Sequence, residues 1–236
     1  MFTVTRSIDT LPSLNRPALR AILFDLDDTL IDRTGAYHRY AADFVARRCE
    51  ELSSIEHQAM VEAMCAHDAN GYRNRDEHCQ WIAEHFEPWG VSPDYAWEDY
   101  LENIGRFVQP DFDSIALIAS LREKCRVAVV TNGSRRTQEL KIACANLDDA
   151  FDAVFISGEV GVEKPRPEIF HHALHWTGCS ADQVLFVGDD PINDIEGASG
   201  VGMKTCWVNH GRSFPPEFAQ PDWNISSIRE FDTVLL

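Results

Sequence analysis

The stretch that decides the fold spans residues 21–30 and reads AILFDLDDTL. It begins as a short apolar run, which predicts a fully buried strand, and it ends in the carboxylates of Asp25, Asp27 and Asp28. Acidic side chains are depleted in strands, and crowded like charges are unfavourable unless a cation or a shared proton relieves them. Mg2+ prefers such oxygen ligands, and a carboxylate can act as a nucleophile. The stretch therefore predicts a metal-assisted nucleophile site at the carboxyl end of a central strand, or else an acidic loop that caps the next helix.

The composition is that of a globular protein with ample apolar material for a core. The chain has 236 residues, of which 44% are hydrophobic and 25% are charged, so it is within reach of one large domain or a core with an insert. Its 21 Lys and Arg residues against 38 Asp and Glu residues give a formal net charge of -17. Such a charge opposes nonspecific binding to nucleic acid or to an anionic membrane, and we expect neither as a partner.

The 7 cysteines predict a reducing compartment. Their number is odd, their spacing is wide and no Cys-x-x-Cys occurs, which argues against a disulfide framework or a zinc site. Residues 1–18 have no apolar run of the signal-peptide kind and predict a loosely structured lead-in. No apolar run elsewhere reaches membrane-spanning length, so we expect a cytoplasmic protein.

Residues 33–109 differ in character from the rest of the chain. Apolar residues recur there at three- and four-residue steps, which is typical of helices, and no convincing strand is present. Large aromatic residues are frequent, and packing between helices is the expected role for most of them. The pattern predicts an all-helical insert after the first strand, with helices at 36–52, 55–68, 77–86 and 93–107.

From residue 110 onward, short apolar strands alternate with helices. This alternation predicts an α/β fold whose core, residues 1–32 and 110–236, is a Rossmann-like parallel sheet with helices on both faces. Ligands of such folds collect at the carboxyl ends of the strands. The predicted strands are 126–130, 153–156, 183–187, 204–208 and 224–225, and the predicted helices are 114–124, 135–145, 167–176, 195–198 and 228–235.

The second place for chemistry is the end of the strand at 126–130. Thr131, Asn132 and Gly133 follow it, and a hydroxyl, an amide and a glycine N–H at a strand-to-helix turn form a natural phosphate cradle. The alternative is an ordinary turn that uses Asn and Gly for their backbone permissiveness.

The third place is residues 163–167, which read EKPRP. The two prolines stiffen the chain and predict a helix that begins at or near Pro167. Lys164 is thereby held in a stiff turn, where its ammonium group would offset the charge of nearby carboxylates and stabilise a phosphoryl oxygen. A solvated surface lysine is the alternative.

The fourth place is residues 188–194, which read GDDPIND. Gly188 lets the backbone turn sharply after the strand at 183–187, so that Asp189 can point into the strand-end crevice. Asp194 falls near the start of the next helix, where an acidic residue also serves as a cap. Asp190 is an alternative to Asp189 at the same site.

The four stretches, in this order, resemble the motifs of the haloacid dehalogenase-like (HAD) hydrolases. Residues 25–29 resemble the first motif in its phosphatase form, Asp-x-Asp-x-Thr, and Thr131 at a strand end resembles the second. Lys164 before Pro-x-Pro resembles the third motif, and Gly188 to Asp194 resembles the fourth, Gly-Asp-x4-Asp. The helical insert resembles the family's smaller helical cap.

The resemblance implies a Mg2+-dependent phosphomonoester hydrolase that acts on a small phosphorylated metabolite. It implies that Asp25 attacks phosphorus to form an aspartyl-phosphate, and that Asp27 is the general acid and base. Mg2+ is then held by the Asp25 and Asp189 side chains and by the Asp27 backbone carbonyl. The implied phosphate-binding residues are Thr131, Asn132, Gly133 and Lys164. Asp194 and Asp190 are placed outside the metal ligands, Asp194 to orient a metal-bound water or Lys164 and Asp190 as the residue that could exchange roles with Asp189.

Three alternatives to this function remain open. A 2-haloacid dehalogenase of the same family resembles Asp-x-Tyr at the first motif, whereas this chain has Asp27 there. A phosphosugar mutase is built from the same parts, and a noncatalytic binding protein could keep the fold, although each catalytic side chain is present.

The substrate and the oligomeric state are left open. The insert is expected to select the substrate, and candidate contributors, each more typical of packing or solvated surface, are His38, Arg39, Arg73, Arg75 and Trp81.

Overall fold

A computed structural model describes residues 19–231 and contains a six-stranded sheet in which every neighbouring pair of strands is parallel. The spatial order is β3-β2-β1-β4-β5-β6, so β1 lies in the middle and the chain builds outward from it in both directions. The predicted α/β fold is therefore confirmed. The strands are β1 (Ala21–Phe24), β2 (Arg126–Thr131), β3 (Ala153–Ile156), β4 (Val184–Gly188), β5 (Lys204–Val208) and β6 (Trp223–Ile225).

Helices cover both faces of this sheet, as predicted. Alternate residues of β1 point to opposite faces, because successive side chains of a strand alternate: Ile22 and Phe24 belong to one buried apolar cluster, and Ala21 and Leu23 to the other. The helices are α1 (Arg33–Arg48), α2 (Ser54–Asp68), α3 (Arg75–His85), α4 (Pro93–Asn103), α5 (Phe112–Arg122), α6 (Arg135–Cys144), α7 (Ser157–Val160), α8 (Pro167–Thr177) and α9 (Gly197–Gly200).

The segment between β1 and α5 is helical throughout its regular structure, as predicted. Helix α1 begins at Arg33 rather than at residue 36, because the Asp32 carboxylate caps it by accepting a hydrogen bond from the Gly35 N–H at 2.8 Å. The aromatic side chains of this segment pack on one another, as expected; Tyr40 and Tyr100 meet edge to face with ring centroids 5.3 Å apart. We call residues 33–109 the cap, and their limits as a separate domain remain a prediction.

The predictions for the two ends of the chain fall largely on residues that the structure does not describe. The predicted lead-in, residues 1–18, lies outside the described residues, and so do residues 232–235 of the C-terminal helix predicted at 228–235. Within the described part of that helix, a 3-10 turn spans Ile228–Glu230. All seven cysteines are free thiols. Among residues 19–231, no helix has the length and apolar character needed to cross a bilayer.

Candidate active site

Three strand ends bring the predicted site residues to one edge of the sheet. Asp25 directly follows β1, Thr131 ends β2, and Asp189 directly follows β4. Strands β2 and β4 flank β1 in register, because Phe24 pairs with Val129 of β2 on one side and with Val187 of β4 on the other. These residues line the floor of a cleft of about 840 Å3 whose opposite wall is formed by the cap.

A cluster of three buried carboxylates lies at the centre of this floor. Oxygen atoms of Asp25, Asp189 and Asp194 lie within 4.8 Å of one another. Burial and the neighbouring charge of Asp194 raise the pKa of Asp189 to about 7, while Arg212 opposes the rise. Burial also raises the pKa of Asp25, against the effect of Lys164. Because a divalent cation relieves such repulsion and prefers hard oxygen ligands, these residues fit a Mg2+ ion.

Lys164 is the cation that the chain itself supplies to the cluster. Its Nζ lies 2.6 Å from Asp25 Oδ1 and 2.7 Å from Asp194 Oδ1, and its side chain is 3% exposed. Burial alone would lower the pKa of this ammonium group, but the two carboxylates outweigh burial and raise it. Lys164 is therefore a fixed positive charge that bridges the first and the fourth sequence motifs.

Asp27 has a different environment from Asp25. Lys141 Nζ lies 2.8 Å from Asp27 Oδ1 and 2.7 Å from Oδ2, and Gln138 Nε2 donates to Oδ2 at 3.0 Å. Burial acts to raise the pKa of Asp27, but the Lys141 charge and these hydrogen bonds outweigh it and lower the pKa. The Asp27 side chain is thus bound to helix α6 and held ionised, apart from the carboxylate cluster.

The residues after β2 are more fully engaged with the protein than their sequence suggests. The Asn132 side chain donates to the Lys164 carbonyl at 2.9 Å and accepts from the Lys164 N–H at 2.8 Å. The Gly133 N–H donates to Ser157 Oγ at 2.9 Å. Thr131 Oγ1 accepts from Gln138 Nε2 at 2.6 Å. These contacts fix the loop, while all three residues still line the cleft.

Asp190 and Asp194 of the fourth motif have separate hydrogen-bond partners. Asp190 caps the π-helical stretch Pro191–Glu196, and its Oδ1 accepts the Ile192 N–H at 2.9 Å. Asp194 is buried and accepts the Asp190 N–H on Oδ2 at 3.0 Å, besides binding Lys164. A Cβ atom at Gly188 would lie 2.3 Å from Asp194 Oδ2, so only glycine leaves room for this carboxylate.

Asp28 takes the capping role that was the alternative for the first motif. Its two carboxylate oxygens accept the Thr34 N–H at 2.8 Å and the Thr34 hydroxyl at 2.6 Å, at the start of α1. Asp28 has φ of 55°, a left-handed conformation that Asp tolerates better than most residues. The three carboxylates of the first motif therefore have separate places: Asp25 in the carboxylate cluster, Asp27 against helix α6 and Asp28 at the start of helix α1.

Besides the contact of Thr34 with Asp28, the cap reaches the floor of the cleft through Tyr72. The Tyr72 hydroxyl donates to Asp190 Oδ2 at 2.6 Å. Arg73 and Arg75 line the cleft, whereas His38, Arg39 and Trp81 are absent from its lining within the described residues. Arg33 also reaches the cleft, but its guanidinium forms a buried ion pair with Asp68.

Sequence reasoning missed four residues that hold the site together. Gln138 and Lys141 bind Asp27, Tyr72 binds Asp190, and Arg212 Nη2 donates to Asp189 Oδ2 at 3.1 Å. A signal for the first two exists in the sequence, since residues three apart share one face of a helix. On α6 that face also carries Ile142 and is buried, so polar residues on it require partners.

Comparison with known proteins agrees with this geometry. Residues 22–208 match the family model described as haloacid dehalogenase-like hydrolase. The chain is 30% identical over 222 residues to pyrimidine 5'-nucleotidase YjjG of Escherichia coli (strain K12), a match that covers 91% of this chain and 96% of that protein. It is 29% identical over 233 residues to N-acylneuraminate-9-phosphatase of Mus musculus, covering 92% of this chain and 94% of that protein.

Solved structures share the fold as well. The HAD-hydrolase YfnB from Bacillus subtilis, solved bound to magnesium, superposes with a TM-score of 0.70 at 24% identity and covers 93% of this chain and 100% of that chain. At this level of identity the likeness concerns the fold alone. Because the family model spans most of the sequence and the strand ends carry the expected side chains, this chain belongs to the haloacid dehalogenase-like hydrolases.

Proposed function

We propose that this chain is a Mg2+-dependent phosphomonoester hydrolase that acts through an aspartyl-phosphate on a small phosphorylated metabolite. The observation that carries the proposal is the buried cluster of Asp25, Asp189 and Asp194, bridged by Lys164 and open to the cleft. Family membership and relatives that are named as a nucleotidase and a phosphatase support an enzyme that hydrolyses phosphate esters.

Asp25 is the proposed nucleophile. Its backbone N–H donates to the Val187 carbonyl at 2.9 Å, which fixes the residue at the strand end, and Lys164 fixes one carboxylate oxygen at 2.6 Å. An oxygen of Asp25 attacks phosphorus in line with the leaving alcohol. The covalent intermediate divides one difficult displacement into two easier ones.

Asp27 is the proposed general acid and base. Lys141 holds it as a carboxylate, which is the form that takes a proton from the water that cleaves the aspartyl-phosphate. The first step needs the protonated form, because the leaving alkoxide must receive a proton. A phosphate dianion bound beside Asp27 favours that form, since a nearby negative charge raises the pKa of a carboxyl group.

The phosphoryl oxygens are bound by groups that the fold holds rigid. Lys164 supplies a positive charge, and Thr131 supplies a hydroxyl at the end of β2. Asn132 and Gly133 contribute through the position of the loop, because the Asn132 amide is bound to Lys164 and the Gly133 N–H to Ser157. Donors that are fixed before the reaction stabilise developing charge without the cost of reorganising.

Asp25, Asp189 and the Asp27 backbone carbonyl are the proposed holders of Mg2+, with Asp194 beside them. When bound, the ion neutralises negative charge on the phosphate and helps to align it with the nucleophile. Arg212 and the Trp207 indole fix Asp189, since both donate to its backbone carbonyl at 2.8 Å.

The cap closes the leaving-group side of the cleft and is proposed to select the substrate. Its wall offers aromatic rings, including Tyr37, Trp97 and Tyr100, together with the guanidinium groups of Arg73 and Arg75. Such a wall suits a small polar metabolite. The named substrates of the relatives, a pyrimidine nucleotide and an acylneuraminate phosphate, are the first to assay.

The test compares the wild-type chain with Asp25→Asn in release of phosphate from p-nitrophenyl phosphate. We expect Asp25→Asn to abolish Mg2+-dependent turnover while the circular dichroism spectrum stays unchanged. Asp182→Asn, an exposed aspartate outside the cleft, is the matched control and should keep full activity. Retained turnover in purified Asp25→Asn would remove Asp25 as nucleophile.

The same samples separate the alternatives. Phosphate release that depends on Mg2+ and stops with EDTA is expected of a phosphatase and not of a noncatalytic binding protein. Metal-independent release of chloride from 2-chloropropionate would indicate a dehalogenase. Interconversion of sugar phosphates without net phosphate release, followed by 31P NMR, would indicate a mutase.

A further inference from the structure

The Gln138 side chain lies between the two parts of the site that handle protons and phosphate. Its Nε2 is 3.0 Å from Asp27 Oδ2 and 2.6 Å from Thr131 Oγ1. Gln138 is 1% exposed and Thr131 is also 1% exposed, so water does not replace these contacts freely. A single amide nitrogen therefore joins the first and the second sequence motifs.

The chemistry of the partners fixes which end of the amide faces them. Lys141 Nζ lies 2.8 Å and 2.7 Å from the two carboxylate oxygens of Asp27, so this ion-paired carboxylate is an acceptor only. The Gln138 atom beside it must therefore be the NH2 group and not the carbonyl oxygen. An NH2 group has two hydrogens and no acceptor capacity in this role. One hydrogen goes to Asp27, and the other goes to Thr131.

The consequence concerns the hydroxyl hydrogen of Thr131. Because Oγ1 accepts from Gln138, its own hydrogen must point elsewhere. Within the described residues, the hydrogen bond that this hydroxyl donates goes to the Asn132 carbonyl at 3.4 Å, the long limit of a hydrogen bond. We propose that Gln138 is a positioning residue that orients the Thr131 hydroxyl so that its hydrogen is offered to a phosphoryl oxygen in the cleft. This inference rests on the proposed function, in which Thr131 binds the transferring phosphoryl group.

The surroundings of Gln138 keep the amide in this position. Gly133 makes room for it, since a Cβ there would lie 3.1 Å from Gln138 Cδ and 3.2 Å from both Cγ and Oε1. Gly133 also has φ of 136°, which other residues rarely adopt. One turn along α6, Lys141 holds both oxygens of Asp27. Asp27 is therefore fixed without Gln138, whereas Thr131 depends on Gln138 for its orientation.

The test is a double-mutant cycle between Gln138 and Thr131 in the full chain with Mg2+. Gln138→Met keeps the size of the side chain and removes the donor, and Thr131→Val removes the hydroxyl. Removing a preorganised donor costs about 100-fold or more in kcat, and we expect Thr131→Val to do so. Gln138→Met leaves the Thr131 hydroxyl in place but no longer orients it, so a smaller loss in kcat of about 10-fold is expected. Added to Thr131→Val, Gln138→Met should cost less than about twofold, because coupled residues are not additive.

A second variant and a second readout keep the test independent of folding. Gln138→Glu keeps the shape, but its carboxylate accepts the Thr131 hydrogen, so its loss of kcat should exceed that of Gln138→Met. The inhibition constant of orthovanadate, which mimics the phosphoryl group in transfer, should rise in each Gln138 variant by a factor similar to the loss in kcat. Glu139→Gln, its exposed neighbour on α6, is the matched control and should leave kcat and that constant unchanged.

Each outcome has a definite meaning. Losses that multiply in the double variant, or a Gln138→Glu variant as active as wild type, would overturn the assignment, because a purely structural role of Gln138 would act alike with or without the Thr131 hydroxyl. An active wild type with either result refutes this inference alone. A wild type that releases no phosphate with Mg2+ refutes the proposed function, and this inference falls with it.

Discussion

Replacing Lys164 with Met tests the electrostatic basis of the site most directly. The Lys164 ammonium bridges Asp25 at 2.6 Å and Asp194 at 2.7 Å, and its side chain is 3% exposed. Met retains most of the volume but none of the charge. The variant therefore leaves two buried carboxylates without the cation that the chain provides for them.

The expected loss of stability follows from this geometry. Removing one partner of a buried ion pair costs about 3 to 5 kcal/mol. Without Lys164 the carboxylates should bind Mg2+ more tightly than in wild type, so the ion should return part of this loss. Binding stabilises a protein by about 2.7 kcal/mol when the ion concentration is 100 times its dissociation constant, and the gain should be larger for the variant. The pH dependence has a definite sign. Burial raises the pKa of Asp25 and of Asp194 above the unfolded value even with Lys164 present. Without Lys164 these two pKa values should rise further, so the folded state binds more protons than the unfolded state over a wider pH range. The free energy of unfolding that the variant loses relative to wild type should therefore grow as pH rises above about 4.

Urea unfolding of wild type and Lys164→Met, with EDTA and with Mg2+, measures these quantities. Lys204→Met is the matched control, because Lys204 pairs with Asp222 at 2.9 Å on the surface, with the two side chains 37% and 34% exposed. A surface pair contributes about 1 kcal/mol or less. The reasoning is refuted if Lys164→Met in EDTA at pH 7 loses no more stability than Lys204→Met, or if Mg2+ stabilises variant and wild type equally.

Three further predictions concern other parts of the molecule. Gly188→Ala places a Cβ 2.3 Å from Asp194 Oδ2, so the displaced carboxylate should cost about 1 to 3 kcal/mol of stability and most of the phosphatase activity; wild-type kcat in this variant would contradict the packing. Tyr72→Phe removes the 2.6 Å bond to Asp190 and should raise KM severalfold, corresponding to about 1 kcal/mol, with little change in unfolding free energy; an unchanged KM would mean that this bond does not hold the cap. Burial lowers the pKa of His78 to about 4, against about 6.5 when unfolded. The unfolded state then binds the extra proton, so stability should fall by up to about 3 kcal/mol as pH drops from 6.5 towards 4, and this part of the pH dependence should vanish in His78→Gln.

The central strands of the fold were predictable because they are short apolar runs that end in polar residues. Ala21–Phe24 and Val184–Gly188 are buried along their whole length, and such runs carry their signal in composition alone. Helix limits were less predictable, because they depend on single capping side chains. Asp32 moves the start of α1 to Arg33 by accepting the Gly35 N–H.

The positions of the motif residues could be predicted, but not their partners. Parallel strands bring their carboxyl ends together, so Asp25, Thr131 and Asp189 had to meet at one edge. The roles of Gln138 and Lys141 depend on the face that α6 turns toward the sheet, and polar helix residues more often face solvent. That face is decided by tertiary packing, which a single sequence does not display.

The paired hydrogen bonds between the Asn132 side chain and the Lys164 backbone have a consequence for how this enzyme can diversify. The two hydrogen bonds join two loops that are distant in sequence. The two loops that carry the proposed phosphate-binding residues Asn132 and Lys164 are therefore held in one relative position. In the part of the chain that the structure describes, neither the Asn132 side chain nor Lys164 is hydrogen-bonded to a cap residue. Under the proposed function, substitutions in the cap can therefore change the leaving-group preference while these two loops keep their geometry.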